Sequence, residues 1–552
     1  MVASDMLGKI QREGEEREAR RKAEELGLLY LDVKTTPVQL EAFKIISEEK
    51  ARQFKVAPFQ FKAKTVALAS ADPSLSEPLV KELVGQGWKI NLFVISQSAL
   101  KSLWANYKSL PKKSAQITGK VSIEQEKFDE LFKKLTSLEA VKKEIANFDF
   151  KTQPTGQILE VVLAGAMSNR ASDIHFEAEE KDIRLRYRVD GLLRDVIPEF
   201  DKKLYPMVVS RIKLLSNLKL NVKDQPQDGR FTISHGGKDI EIRVSLIPSE
   251  YGETIVMRVL DPSAIQLKLS DLGIRDDDLK IVEKELNAPN GMILNTGPTG
   301  SGKTTTLYAF LLHKQKPEIK IITIEDPIEY HLEDIEQTQV NEQSEYTFAG
   351  GLRSIMRQDP DVILVGEIRD EETSGIAIQA ALTGHLVFST VHANSAAGAI
   401  PRLLDLKVKP ASIGPALNLV IAQRLVRRLC PDCKQPDKIS PETQKNIEKF
   451  LKNLPTRVDK KPYGEINVFK AKGCAKCGQL GYKGRVAVFE LMEVGDEMEG
   501  LISESIGEAA IKKQSLKQGM VTMQQDGILK VFSGMTTLDE IGEITGDINW
   551  DG

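Results

Sequence analysis

A short glycine-rich run contains the residues of this sequence that are best suited to chemistry. It extends from Gly297 to Thr304 and fits the pattern G-x-x-x-x-G-K-[ST]. The apolar residues 292–294 predict a strand before the run, and residues 305–312 predict a helix after it. Glycines let backbone N–H groups converge on anionic oxygens, and a helix N-terminus adds a favourable dipole at the same place. The run therefore predicts a site for the phosphates of a nucleotide, whereas the alternative is a glycine-rich turn with an exposed lysine.

Within this site, the chemistry of each side chain suggests a role. A lysine at the end of the loop, Lys303, can hold the β- and γ-phosphates of the nucleotide, and the hydroxyl of Thr304 can bind Mg²⁺. We predict that the nucleotide is bound by Gly297, Pro298, Thr299, Gly300, Ser301, Gly302, Lys303, Thr304 and Thr305.

Three apolar runs follow the glycine-rich loop, and each ends in polar residues. They are residues 321–326, 362–367 and 386–392. Their order along the chain predicts a doubly wound parallel sheet. In such a sheet the ligand lies beyond the carboxyl ends of the strands, so these polar residues should collect beside the phosphates.

Hydrolysis of a phosphoanhydride needs an aligned water molecule and charge compensation on the transferred group. Glu367 follows an unbroken apolar strand and is the first candidate to orient or deprotonate that water. Glu325, Asp326 and Glu329 form a second acidic cluster, and the division of work between the two stays open. His392 ends the last run and could donate a hydrogen bond to the γ-phosphate. A strand-end cap or a solvated charge is the alternative for each carboxylate, and a structural histidine with its hydrogen bonds satisfied is the alternative for His392.

Four cysteines form two C-x-x-C pairs, Cys430 with Cys433 and Cys474 with Cys477. Four thiolates suit tetrahedral Zn²⁺, and four protein ligands leave no open position, so the predicted zinc site is structural. Residues 434–473 must then form an excursion that returns to the metal. Free thiols or redox pairs are the alternatives.

Arginines recur on predicted strands well before the glycine-rich loop, at Arg230, Arg243 and Arg258. Most arginines of this kind form surface ion pairs. The sharper hypothesis is that one or two of them reach a γ-phosphate as arginine fingers, from a neighbouring subunit.

Composition limits the class of protein. A chain of 552 residues should contain several domains, and a net charge of −3 gives no excess of positive charge for nucleic acid or an anionic membrane. No apolar run approaches the length of a membrane span, and the start does not read as a signal peptide. We therefore expect a soluble, intracellular protein.

The pattern of elements predicts four regions. Residues 1–107 should form a charged helix and a small α/β domain, which we expect to dock on a partner, and residues 108–152 a lysine-rich linker with an isolated helix. Residues 153–264 should form a mixed α+β domain. The nucleotide domain should cover residues 265–552, with the zinc-binding subdomain at about residues 428–488.

Taken together, these residues resemble the secretion-superfamily ATPases, specifically the type II secretion and type IV pilus assembly ATPases. Beside the glycine-rich loop, the resemblance rests on motifs that match the family's Asp box, Walker B region and His box and on a motif of the α+β domain. These are Ile324-Glu-Asp-Pro-Ile-Glu329, Arg357-Gln-Asp-Pro-Asp-Val-Ile-Leu-Val-Gly-Glu367, Thr390-Val-His392 and Ala171-Ser-Asp-Ile-His175. The cysteine pairs and the extra amino-terminal domain resemble the assembly and secretion branch rather than the retraction branch.

The resemblance implies an α/β fold with a RecA-like P-loop ATPase core, a preceding PAS-like α+β domain and a small α/β amino-terminal domain. It implies a homo-hexamer in the cytoplasm that reaches the inner membrane only peripherally, through a platform protein and a cytoplasmic adaptor. It also implies catalytic roles for Lys303, Glu325, Glu329, Glu367 and His392, and charge compensation by Arg230 and Arg243. The glycine- and leucine-patterned repeats that bind cyclic di-GMP in some members are absent, so that ligand is not expected.

Two other readings stay open at this point. A nucleic-acid translocase or helicase would have a similar ATPase core, although the near-neutral charge argues against it. An inactive scaffold would bind ATP without hydrolysing it, although the presence of Lys303, Thr304 and Glu367 argues against that reading. Pilus extension, secretion, surface adhesion and DNA uptake would all use the same chemistry.

Overall fold

The computed structural model describes residues 2–33, 35–36, 38–39, 42–43, 45–62, 64–85, 87–109, 120–121, 125–148, 155–262, 268–341, 344–463, 466–504 and 507–550. The chain divides into two compact units, residues 1–118 and 119–552. No helix within the described ranges has both the length and the apolar character that a membrane crossing requires.

The first unit is a small α/β domain. Its elements are α1 (Val2–Leu26), β1 (Leu29–Tyr30), α2 (Glu48–Gln53), β2 (Val56–Lys62), β3 (Thr65–Ser70), α3 (Pro73–Gly85), β4 (Lys89–Val94), α4 (Gln97–Trp104) and α5 (Asn106–Ser109). The sheet has the order β1-β4-β3-β2 and is parallel except for the β2–β3 pair. Helix α1 is largely charged, and it packs on the domain through Ala19 and Ala23, which lie against Val94.

The second unit begins with a mixed α+β module. Its elements are β5 (Lys120–Val121), α6 (Gln125–Lys134), α7 (Leu138–Ala146), α8 (Thr155–Ser168), β6 (Ala171–Ala178), β7 (Ile183–Val189), β8 (Leu192–Phe200), α9 (Tyr205–Leu215), β9 (Gln227–His235), β10 (Lys238–Ser249) and β11 (Gly252–Leu260). The sheet order is β5-β9-β10-β11-β6-β7-β8. Inward residues of β7 are buried and outward ones are half-buried, which is the alternation expected of a sheet with one covered face.

The predicted linker at residues 108–152 needs correction. Helices α6 and α7 are not isolated, because Phe128, Leu135, Val141 and Ile145 are buried in the core of the α+β module. Strand β5 also pairs with β9 at the edge of that sheet. Residues 125–148 therefore belong to the α+β module, since their apolar face is covered by it. The remaining parts of the predicted linker lie mostly outside the described residues.

The nucleotide module follows in the same unit. Its central elements are α10 (Asp276–Leu286), β12 (Gly291–Thr296), α11 (Lys303–Lys314), β13 (Ile321–Glu325), β14 (Glu336–Gln339), α12 (Phe348–Ile355), β15 (Val362–Val365), α13 (Glu371–Leu382), β16 (Leu386–Val391), α14 (Ala399–Asp405), α15 (Pro410–Ala416) and β17 (Leu417–Leu429). The insertion and the carboxyl-terminal part contain β18 (Gln435–Pro436), α16 (Pro441–Asn453), β19 (Phe469–Lys470), β20 (Tyr482–Glu493), α17 (Asp496–Ser503), α18 (Glu508–Lys517), α19 (Met523–Phe532) and α20 (Leu538–Thr545).

The main sheet of this module has the order β14-β13-β15-β16-β12-β17-β20. Both of its faces are covered: Met292 and Leu294 of β12 face one apolar core, and Ile293 between them faces another. The doubly wound prediction is confirmed for β12 to β17, which pair in parallel. The sheet is mixed rather than wholly parallel, because β20 returns from the insertion and pairs antiparallel to β17.

Candidate nucleotide site and metal centre

The glycine-rich loop connects β12 to α11 and depends on glycine for its shape. Gly297, Gly300 and Gly302 have φ values of 147°, 79° and 91°, which disfavour other residues. A Cβ on Gly297 would lie only 2.4 Å from the backbone oxygen of Gln423. The loop therefore turns tightly against the neighbouring strand and delivers Lys303 and Thr304 to the first turn of α11.

The polar groups of the loop fit a phosphate ligand. The Nζ of Lys303 donates to the carbonyl oxygens of Gly297 at 2.7 Å and Pro298 at 3.2 Å, so it folds back over the loop. Burial lowers the pKa of Lys303, and the nearby carboxylate of Glu367 opposes that shift. The hydroxyl of Ser301 is buried without a hydrogen-bond partner within the described part of the chain. A bound phosphate would satisfy polar groups of this kind.

The strand order brings Glu367 and His392 towards this loop. Glu367 follows β15, and its carboxylate contacts Arg369 Nη2 at 2.5 Å and His392 Nε2 at 3.5 Å. The segment after β16 is tied to the strand before the loop, since Thr296 Oγ1 donates to Ala393 O at 2.9 Å. Residues predicted from three separate segments are thus neighbours at one edge of the sheet.

Glu325, which the sequence places among the catalytic acids, lies in a closed environment. It is 4% exposed. One carboxylate oxygen accepts from Thr323 Oγ1 at 2.6 Å and Gln337 Nε2 at 3.1 Å, and the other accepts from the hydroxyl of Tyr308. Burial raises the pKa of Glu325, and these donors partly offset the rise. The carboxylate joins β13 to α11 through Tyr308, and its oxygens are occupied by protein donors.

Glu329 occupies a more open position than Glu325. Its carboxylate accepts from Arg243 Nη1 at 3.0 Å, while Arg243 Nη2 donates to the carbonyl of Ile328. Arg243 belongs to β10 of the α+β module, so this contact joins the module to the predicted acidic box of the nucleotide module.

A cleft of about 550 Å³ lies at this junction. Arg230, Arg243 and Arg258 line it from three neighbouring strands, with Pro327 and Gln339 on the nucleotide side. The three arginines stand side by side, because Arg243 pairs in register with Arg230 on β9 and Arg258 on β11. Like charges directly opposite each other are unfavourable in a sheet. Carboxylates offset this repulsion: Glu241 pairs with Arg230 and Arg243, and Asp173 pairs with Arg258. The arginines therefore form ion pairs within the chain, and an anion in the cleft would compete with these carboxylates.

The four cysteines meet at one point, as their spacing predicts. Their Sγ atoms all lie within 4.8 Å of one another. Three of the distances are 4.0 Å for Cys430–Cys474, 3.8 Å for Cys433–Cys477 and 3.7 Å for Cys474–Cys477. Sulfurs at about 2.3 Å from a tetrahedral zinc ion would be about 3.8 Å apart. The arrangement therefore fits Zn²⁺ in its size and in its donor type.

Backbone groups around Cys477 favour its thiolate form. The N–H groups of Cys474 and Gly481 each donate to Cys477 Sγ at 3.2 Å. Burial acts to raise the pKa of Cys477, but hydrogen bonds to the sulfur outweigh it and lower the pKa to about 7. Burial instead raises the pKa of the Cys430 and Cys433 thiols. Because a metal ligand must be the deprotonated thiolate, the backbone hydrogen bonds support metal binding at Cys477 in particular.

Sequence reasoning missed residues that the structure adds to the site. Gln423 on β17 accepts from Asn295 Nδ2 at 3.0 Å and from Thr306 Oγ1 at 2.9 Å, on either side of the phosphate loop. Arg258 was one of the recurring arginines but not among the predicted catalytic ones, and it shares the cleft. The sequence signal that could have found Gln423 is a polar residue inside the largely apolar run of residues 417–426.

Comparison with known proteins assigns the chain to a family. Residues 150–543 match the model of the type II/IV secretion system protein family. The chain belongs to this family. Residues 26–113 match a second family model, that of the MshEN domain. The two matches of this secretion-family ATPase fall in different units: residues 26–113 lie in the first, and residues 150–543 lie in the second, which contains both the α+β and the nucleotide module.

Named bacterial proteins are similar to this secretion ATPase. It is 45% identical over 392 residues to type II secretion system protein E of Pectobacterium carotovorum subsp. carotovorum, covering 71% of this chain and 76% of that protein. It is 35% identical over 527 residues to the type IV pilus assembly ATPase PilB of Myxococcus xanthus, covering 94% and 89%. The solved ATPase DotB of Legionella pneumophila, at 22% identity, has a TM-score of 0.52 and covers 72% of this chain and 97% of DotB, which shows a shared fold.

Proposed function

We propose that this ATPase hydrolyses MgATP to drive a type IV pilus assembly or type II secretion machine. The observation that carries the proposal is the meeting of Lys303, Glu367 and His392 at one sheet edge. The names of the two curated relatives, a secretion protein E and a pilus assembly ATPase, supply the kind of machine.

Each residue of the site then has a separate task. The backbone N–H groups of residues 299–305 and the ammonium of Lys303 hold the phosphates, and Thr304 supplies its exposed hydroxyl to Mg²⁺. Glu367 orients the attacking water or the magnesium shell, and His392, half exposed beside it, donates to the γ-phosphate. The metal ion supplies charge neutralisation on the phosphate oxygens when it is bound.

The second acidic cluster divides its work between two glutamates. Glu329 is partly exposed at the arginine cleft and is available to a water molecule, whereas Glu325 has both oxygens occupied. We therefore assign Glu329 to the chemistry and Glu325 to positioning α11 through Tyr308. This division depends on access, because a carboxylate must reach the proton that it removes.

The arginines couple hydrolysis to movement. Arg243 holds the α+β module to residues 328–329 of the same chain. A triphosphate between Lys303 and the arginines would add charge-assisted bonds across the cleft, and loss of the γ-phosphate would remove some of them. Release of this contact would let the two modules separate. This proposal gives Arg230, Arg243 and Arg258 a role as charge-compensating groups.

Assembly and location complete the proposal. The protein acts as a homo-hexamer in the cytoplasm and contacts the inner membrane only through a platform protein and an adaptor. The four cysteines hold one structural zinc ion per chain. Cyclic di-GMP and nucleic acid are not proposed as ligands.

Replacement of Lys303 tests the site directly. Lys303→Ala should reduce phosphate release at least about a hundredfold, because removal of one charged group at a transition state has costs of this size. The exposed Lys316 lies beyond the end of the same helix, so Lys316→Ala is the matched control and should retain full turnover. Unchanged phosphate release from Lys303→Ala, with an intact fold by circular dichroism, would contradict the site.

A separate measurement tests the kind of machine. Turnover stimulated many-fold by DNA would contradict the assignment to pilus assembly or secretion.

A further inference from the structure

Gln423 is a buried residue of β17 whose side chain spans the base of the phosphate loop. It is 2% exposed. Its Oε1 accepts from Asn295 Nδ2 at 3.0 Å and from Thr306 Oγ1 at 2.9 Å. Asn295 is in β12, which enters the loop, and Thr306 is in α11, which leaves it. One amide oxygen therefore joins the two elements that hold the ends of the loop.

Gln423 also limits where the loop itself can lie. Its backbone oxygen would be 2.4 Å from a Cβ on Gly297, and its Nε2 would be 2.8 Å from a Cβ on Gly302. Both distances are too short for a side chain, so the first and last glycines of the loop rest directly on this residue. The parallel pairing of Thr296 with Ala422 places Gln423 beside Gly297.

Burying the amide of Gln423 costs free energy, and a residue that only filled this space would not need an amide. The neighbouring residues Ile421 and Ala422 are fully buried and apolar. An amide in such surroundings is unfavourable unless it is hydrogen-bonded, and an apolar side chain of similar length would avoid the cost. The two side chains that donate to Gln423, those of Asn295 and Thr306, flank the phosphate loop. This arrangement indicates that the amide helps to position the loop.

We propose that Gln423 is a positioning residue for phosphate binding, which fixes the distance between β12 and α11 and so the convergence of the loop N–H groups. It acts through the loop and does not touch the nucleotide. This inference rests on the proposed function of the site. Because the loop binds ATP and ADP alike, loss of the clamp weakens the affinity for both nucleotides and changes the chemical step less.

The first experiment measures nucleotide affinity and kinetics of the full-length Gln423→Met variant, which keeps side-chain length and removes the amide. We expect the Kd of Mg·ADP and the KM for ATP to rise about tenfold, as expected for a lost buried hydrogen bond. We expect kcat to change less than about threefold, because the clamp acts on ground state and transition state alike.

A matched control separates positioning from general stability. Gln525 is also a buried glutamine, 6% exposed, and its Oε1 accepts from the N–H of Thr522 at 2.9 Å in the cap of α19. Gln525→Met should lower the melting temperature and leave the Kd of Mg·ADP within about twofold of wild type. If Gln423→Met also lowers only the melting temperature and leaves the Kd of Mg·ADP within twofold of wild type, the proposal is wrong.

A second variant covers the case in which Gln423→Met does not fold. Thr306→Val is nearly isosteric and removes one of the two donors to Oε1, so Kd should rise about threefold. In the double variant, Kd should exceed that of Gln423→Met only slightly, because both residues act through one clamp. Full multiplication of the two effects, or a Thr306→Val protein that binds as wild type does, overturns the proposal.

The Lys303→Ala variant shows which of the two inferences fails. If Lys303→Ala loses Mg·ADP binding while Gln423→Met binds as tightly as wild type, the nucleotide site stands and the positioning role of Gln423 is wrong. If Lys303→Ala also binds Mg·ADP as tightly as wild type, the assigned nucleotide site itself is wrong, and the role of Gln423 falls with it.

Discussion

Two chemical sites lie on one strand of this ATPase and are built in opposite ways. Strand β17 passes the phosphate loop at Gln423 and ends just before Cys430 of the cysteine cluster. The cysteine cluster is complete, with four sulfurs from two short segments already at tetrahedral spacing. The nucleotide site draws its groups from several distant segments and keeps some of them exposed, including Thr304 and His392.

This difference indicates that the cysteine cluster serves stability and the nucleotide site serves chemistry. A closed set of ligands that fits its ion can only hold structure, because no position is left for a substrate. The Ser301 hydroxyl is buried with no partner among the described residues, and Lys303 folds over its own loop, so a ligand would complete this site. We therefore expect changes at the cysteines to alter stability first, and changes at the nucleotide site to alter turnover first.

The largest effect should follow removal of the cysteine ligands. Structural zinc contributes on the order of 10 kcal/mol to the folding of small zinc-binding peptides. Cys433→Ser should lose the bound zinc and make residues 434–473 sensitive to limited proteolysis. Elemental analysis should give one zinc per wild-type chain. Ser440→Ala, which removes a cap inside the insertion, is the control and should retain zinc.

That prediction also tests the comparison itself. If Cys433→Ser loses MgADP affinity as completely as Lys303→Ala does, the two sites are one cooperative unit along β17. A wild-type protein without zinc, with the same protease resistance, would contradict the structural role.

Glu367→Gln should have the next largest effect, now in turnover. Loss of its charge beside Lys303 should reduce kcat about 10²- to 10³-fold, or about 3–4 kcal/mol, while the melting temperature changes little. The control is Glu371→Gln, since Glu371 is exposed and paired with Lys407. A kcat within tenfold of wild type would transfer the leading role to Glu329.

Arg243→Gln should lower kcat/KM less, by about tenfold to a hundredfold, since hydrogen bonds to charged groups contribute about 1.5–3 kcal/mol. Arg184→Gln is the control, because Arg184 lies in β7 of the same sheet and is paired with Asp195. Mixing the Arg243→Gln and Lys303→Ala proteins then tests the geometry. The contact of Arg243 with Glu329 of its own chain predicts no recovered activity, whereas an arginine finger from a neighbouring subunit would restore part of it.

The sequence predicted the parts of this structure that local rules determine. The phosphate loop follows from glycine conformations at residues 297–302, and the cysteine cluster follows from two C-x-x-C spacings. The parallel order of β12 to β17 follows from buried apolar runs. These features need only short-range pattern and ligand chemistry, so they were visible before any contact was known.

Other features depend on register and on long-range contacts, which a single sequence does not display. Gln423 meets Asn295 across 128 positions of the chain. The row of three arginines exists because two antiparallel pairings align them at one level of the sheet. The linker prediction went wrong for a related reason: the polar, lysine-rich composition of residues 108–152 hid the few apolar residues that pack into the next module.

The smallest predicted effect concerns Glu325, the buried glutamate of the acidic box. Burial raises the folded-state pKa of Glu325 above its ordinary value of 4.5. A carboxyl with a raised pKa contributes stability below its unfolded pKa and loses it as pH rises through the folded pKa. Glu325→Gln cannot ionise, so the melting temperature of the variant should gain on wild type as pH rises from 4.5 towards 8.

We expect a gain of a few degrees at most, because about 1 kcal/mol shifts the melting temperature of a domain of this size by roughly 2–4 °C. The exposed Glu333 gives the control, and Glu333→Gln should show no such gain. A difference that shrinks with rising pH would mean that Thr323, Tyr308 and Gln337 stabilise the carboxylate more than burial destabilises it. Glu325 would then be held ionised in the folded protein, which would favour a catalytic role for it over a structural one.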